Sequence, residues 1–424
     1  GGSSYDRPRN CEHYWTLAIK YYQEGNIVNT EYEFILFHEY IHFLQDISTN
    51  YGKTNLCNYF TFLKDVILEL RSKSDDYVIN LPLQFAEMPL YLEHKKSNSI
   101  ILGNTKIINN LPADFISSNK QELHGKSVSL YDTKDVVYTL CIGGAEFYIG
   151  AFDVLENMAY LLQRLIYPDK ASAPTYPYKT IEIVTQSIYP EFSTRPELIC
   201  ALCELSLSTS NPGRFYFNSL LQLKQTQAQI DSIDDLLKLF SPALSFRYLG
   251  SSESNIEKVS NDITEDAVAI IKELFPDPNF SELINYTERM VRKALSLRVS
   301  DPLFITRGVL TADPRGYYFS ILPDKVGVPL IFDKYYDLYM PETAPIKFLY
   351  FSCISIFLDI FTDGETECEL YTGCKRNMDS FANSHKVSNF CLTAPWKLCE
   401  KEKLCPLASL LAYWGIDKKN YQYV

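Results

Sequence analysis

Ile35-Leu36-Phe37-His38-Glu39-Tyr40-Ile41-His42-Phe43-Leu44 is the stretch around which the chain is organised. On an α-helix, positions four apart project from one face, so His38 and His42 present two imidazole nitrogens to a single cation. Glu39 stands beside that face, where it can take a proton from a cation-activated water without being a ligand itself. Thr30 followed by Glu33 reads as a capping box and predicts a helix over residues 31–47. Apart from the motif, every residue from Phe34 to Leu44 is uncharged. Such a helix has to be buried, and two histidines with a glutamate in a core need a partner that offsets their desolvation. A metal ion is the simplest partner; the alternative is a buried helix whose histidines bond to backbone carbonyls.

Upstream, residues 13–22 are rich in aromatic and β-branched types and predict a strand ending at Glu24-Gly25-Asn26. Downstream, Ser48-Thr49-Asn50-Tyr51-Gly52 is a polar break, and a second helix is expected over Asn58–Ser72. Ile100–Leu102 and Lys106–Ile108 flank Gly103-Asn104-Thr105 as a hairpin would. His94 and His124, among charged and turn-forming neighbours, read as solvated surface residues. Val136–Ile142 predicts a strand, followed by Gly143-Gly144 and an amphipathic helix over 145–166 that Pro168 terminates. A catalytic zinc takes three protein ligands and leaves a fourth position open, so a ligand is required beyond His42. That helix is its expected source, and it contains Glu146 and Glu156. Glu146, just after the two glycines, is also explained by a favourable interaction with the helix dipole. Glu156, mid-helix among Leu155, Met158 and Ala159, is not, which favours it as the ligand.

His38-Glu39-Tyr40-Ile41-His42 followed by Glu156-Asn157-Met158-Ala159 on a later helix resembles the gluzincin metallopeptidases. The resemblance implies a zincin-like core, Zn2+ as cofactor, Glu156 as third ligand and Glu39 as catalytic base. It covers two short segments. Many members carry an aspartate four residues after the ligand glutamate to hold a motif histidine, where this chain has Tyr160; Asp153, one turn earlier, is the candidate substitute.

Beyond Pro168, Ala173-Pro174-Thr175-Tyr176-Pro177-Tyr178 is an extended loop that either lines a cleft or packs on the surface. Pro196 opens a helix over 197–207 in which Cys200 and Cys203 read as buried small hydrophobes. Further helices are expected over 218–229, 232–240, 264–275 and 280–299, while 303–332 looks strand-like. Gly250–Asn255 is small and polar and reads as a linker between a metallopeptidase core (1–250) and a C-terminal region (256–424), unless the chain is one domain. Cys353, Cys368, Cys374, Cys391, Cys399 and Cys405, with His385, crowd the C-terminal part, but their spacing does not match paired zinc knuckles. Buried thiols, an unusual metal or iron-sulfur site, and an oxidation-sensitive patch all fit.

Fifty-two acidic against 40 basic residues, a net charge of -12, argue against a nucleic-acid binder. No apolar signal core follows Gly1-Gly2-Ser3-Ser4, and the longest apolar run, Phe348–Leu358, is far short of the ~20 residues a membrane helix needs. Eleven cysteines cannot all pair within one chain, which suits a reducing cytoplasm. The expected fold is α+β and predominantly helical, with a zincin-like core and a cysteine-rich C-terminal region. The expected function is hydrolysis of peptide bonds in a protein or peptide substrate. The rival is a non-catalytic, zinc-stapled binding or regulatory protein whose cysteines sense metal or oxidation.

Overall fold

A computed structural model describes residues 33–84, 99–103, 121–130, 133–142, 145–169, 173–248, 251–253, 255–329, 331–332, 338–339, 350–376, 387–400 and 405–424. The strand expected over 13–22, Thr30, His94 and His385 lie outside them. The motif helix α1 spans Glu33–Ser48 and α2 spans Asn50–Ser72. The polar stretch between them is a one-residue break rather than a loop, because the Thr49 hydroxyl accepts the Gly52 N–H and caps α2 at once. Gly52 is required there, since a Cβ would lie 2.5 Å from Gln45 O and Asp46 Cα of α1.

Strand β1 (Val78–Leu81) follows, then β2 (Gln121–Leu130), β3 (Thr133–Ile142) and β4 (Ala145–Ile149), which form an antiparallel three-stranded sheet. Residues 99–102 make a helical turn instead of a hairpin arm, and Gly103, at φ 107°, bridges to Ile149 of β4. The amphipathic run over 145–166 is two elements. Ala145–Ile149 pairs with β3, and helix α3 (Ala151–Ile166) begins only after Gly150, whose N–H is accepted by Asp153.

Helices α4 (Thr180–Ile188), α5 (Pro196–Ser206), α6 (Pro212–Thr226) and α7 (Ile233–Phe240) follow. Within the stretch read as a linker, residues 251–253 form β6 (Ser251–Glu253), which pairs with β5 (Phe246–Tyr248), and Asn255 caps α8 (Ile256–Leu274). After α9 (Ser281–Ser300), residues 303–332 are largely helical rather than strand-like. Asp313 accepts the Gly316 N–H and starts a helical stretch over 314–326, with Tyr317 and Tyr318 donating to the carbonyls of Phe304 and Ile305. Strands β7 (Ile331–Phe332) and β8 (Leu338–Tyr339), helices α10 (Tyr350–Leu358) and α11 (Pro406–Tyr413), and β9 (Asn420–Tyr423) follow, with several short helical segments between α10 and α11. The fold is thus predominantly helical with a few strands, and among the described residues no helix is long and apolar enough to cross a membrane.

Two large apolar clusters form the interior. One gathers residues from Phe37 to Val326 around α1, α3, α5 and α6. The other joins Phe60–Leu70 of α2 and β1 to α8, α9 and the C-terminal elements. Helix α1 lies against α2, α3 and α9, which places the motif between the helices that can supply its partners.

At the α2–α8 contact Lys53 is fully buried, its ammonium donating to Ser260 O (3.1 Å), Ser260 Oγ (2.6 Å) and Thr264 Oγ1 (3.1 Å). No carboxylate faces it through these bonds, so burial, reinforced by the nearby Arg298 charge, pushes its pKa down to about 7. The unfolded chain binds the proton up to the ordinary lysine range, whereas the folded chain releases it near 7. Folded stability therefore rises with pH across that interval and is at its floor below it. The gain expected between about pH 7 and about pH 9 is about 2 kcal/mol. Urea unfolding followed across this range should show that rise in wild type and a flatter profile in Lys53→Met; an equal rise in the variant would assign it elsewhere.

Candidate metal centre

The site is built from two helices. His38 and His42 lie one turn apart on the buried face of α1, and Glu156 faces them from the middle of α3. His38 Nε2 is 3.2 Å and His42 Nε2 3.3 Å from the same Glu156 oxygen, Oε2, and the two nitrogens are 3.0 Å from each other. Three atoms that carry lone pairs thus converge on one point. Two facing imidazole nitrogens at that separation repel unless a proton or a cation lies between them.

Electrostatics agrees with a cation-seeking site. Burial opposes charge on His42, but the Glu156 carboxylate, with Glu39 and Gln45, outweighs it and holds the His42 pKa up at about 9. Burial would likewise raise Glu156, yet His42 and His38 hold it well below the usual carboxylate range. A proton shared among these groups would relieve the repulsion between the two nitrogens. The donor set also fits a divalent ion: bonds of ~2.0–2.1 Å at tetrahedral angles separate neighbouring ligand atoms by about 3.3 Å, close to the triangle found here. Among the described residues this is the single group of three or more His, Cys, Asp or Glu that could hold a metal.

Glu39 is half-buried beside this group, near enough for its charge to act on His42. Tyr40, inside the motif, donates to Gly327 O at 3.1 Å and anchors the helix from behind. Glu33, at the start of α1, accepts from Tyr167 (2.5 Å) and Arg315 (3.2 Å).

Glu146, the other acidic candidate, is not at a helix start. It sits exposed on β4, paired with Lys126 at 3.4 Å, and is not part of the triad. Asp153 does not serve a histidine through Oδ2, which accepts the Gly150 N–H at 3.1 Å; burial pushes its carboxyl up to about 7. Tyr160 reaches the site indirectly. Its ring meets Tyr178 edge-on at 5.8 Å, and Tyr178 lies 5.7 Å from the His38 ring, so the aromatic loop borders the site.

Sequence reasoning passed over Gln45. It is fully buried, its Oε1 lies 2.8 Å from His42 Nδ1, and its Nε2 donates to Leu155 O at 3.2 Å. The available signal was an amide closing an apolar run three residues after His42, hence on the same helix face.

Among the described residues, no cysteine joins the site. Cys200 and Cys203 are fully buried free thiols on α5, pushed well above the usual thiol range by burial. Cys353, Cys368, Cys391 and Cys405 are buried in the C-terminal cluster, and burial pushes Cys374 up to about 12 and Cys405 up to about 11. Thiols that stay protonated are poor nucleophiles. His124 is exposed on β2, as its neighbours implied.

No family model, curated protein or solved structure matches the chain.

Proposed function

We propose that the chain is a zinc-dependent metallopeptidase with a zincin-like site. The observation that carries this reading is the convergence of His38, His42 and Glu156 with Glu39 beside them. His38 and His42 would supply neutral imidazoles and Glu156 a carboxylate, a ligand set suited to catalytic zinc. When bound, the ion lowers the pKa of a water toward ~7 and polarises a carbonyl. Glu39 accepts a proton from the attacking water and delivers it to the departing amine. Among the described residues the ligand set has three members, the number a catalytic zinc takes, whereas a structural staple takes four.

Elemental analysis of protein purified without chelator should find one equivalent of zinc. His38→Ala and Glu156→Ala should lose it, and Glu146→Ala should keep it. Zinc retained by Glu156→Ala and lost by Glu146→Ala would reverse the ligand assignment; iron in place of zinc would redirect the chemistry, because two histidines and a carboxylate also suit ferrous sites. A zinc staple would show bound metal and no cleavage of a proteome-derived peptide library.

A further inference from the structure

The proposed metal centre has two helices to hold in register, and the buried Gln45 side chain of the first reaches the second beside Glu156. We infer that Gln45 is a positioning residue that fixes His42 with its proton on Nδ1 and its Nε2 lone pair turned inward, and thereby sets the affinity of the site for a divalent cation. This rests on the metal reading above.

A glutamine amide has a donating end and an accepting end, and which atom points where is decided by its partners. Gln45 Nε2 lies 3.2 Å from Leu155 O and 3.5 Å from Met158 Sδ. A carbonyl offers no proton, so the nitrogen must face α3. The reversed amide would set two oxygens against each other at that distance. Oε1 is then the atom 2.8 Å from His42 Nδ1, and an amide oxygen can only accept. Nδ1 is therefore the protonated nitrogen. In a neutral ring Nε2 is left with its lone pair, and Nε2 is the atom facing His38 and Glu156.

The same contact spaces the ligands. Leu155 and Met158 flank Glu156 on α3, so Gln45 ties the helix bearing two ligands to the helix bearing the third. With no exposure to solvent, the amide has no water to exchange partners with. The Tyr160 position reaches the site through ring packing.

The test uses the full chain, stripped of metal and titrated with Zn2+ against a chromophoric chelator. Gln45→Leu preserves bulk and removes both amide ends; at a temperature where circular dichroism shows it folded, zinc should bind about 10–100-fold more weakly than in wild type. Unchanged affinity would overturn the inference. Should the variant not fold, nitrogen-15 correlation spectra of zinc-loaded wild type decide the matter alone. A slowly exchanging proton on His42 Nδ1 is expected, and a proton on Nε2 would overturn it. If wild type binds no zinc at all, the metal reading itself falls, a result distinct from either.

Discussion

Glu39→Gln is expected to lower peptide cleavage by about 10³-fold while leaving zinc content unchanged. Glutamine matches the shape of the carboxylate and cannot take a proton at neutral pH, so the substitution removes basicity and little else. Glu39 is not part of the triad, so the metal should remain. The measurement is the count of new termini that wild type and variant generate from a proteome-derived peptide library, paired with elemental analysis of both. Equal cleavage would remove Glu39 from the mechanism. Loss of zinc together with activity would make it a ligand rather than a base.

The second large effect concerns stability. Arg298 of α9 and Glu204 of α5 form a buried ion pair. Arg298 also donates to Pro302 O and to Ser48 Oγ at the end of the motif helix, while Glu204 accepts the N–H groups of Ile305 (3.1 Å) and Thr306 (2.7 Å). Removing one member leaves the other charged in an apolar interior. Arg298→Met is therefore expected to cost about 3–5 kcal/mol, read as a fall in the urea midpoint at unchanged slope. Combining it with Glu204→Gln should recover part of that loss, since the buried carboxylate is then gone. A double variant as unstable as the sum of the singles would show that the two charges do not act on each other.

Much of the site was legible because its parts are local or chemically unusual. A helix can be recognised from an apolar run, and two histidines one turn apart cannot be in a core without a partner. Glu156 stood out for the same reason, as a carboxylate mid-helix among apolar residues. Glu146 was misjudged because residues 145–149 fit a helix or a strand equally, and the choice is made by β3, with which they pair. The aromatic residues of 303–332 favour strands by composition, yet the Asp313 cap and the carbonyls that Tyr317 and Tyr318 reach make the stretch helical. Gln45 and Tyr178 act through contacts with distant or separately placed residues, and no spacing rule encodes such contacts.

The pairing of β1 with β9 has a bearing on the order of assembly. Val78 lies opposite Asn420 in that parallel pair, so one of the two interiors must wait for a very distant segment. The interior that surrounds the triad draws its buried residues from Phe37 to Val326. During vectorial synthesis its contributors have all emerged while the rest of the chain is still being made, and closing a long loop is slow compared with packing nearby helices. The histidines and Glu156 can thus meet on a nascent chain that has yet to finish folding.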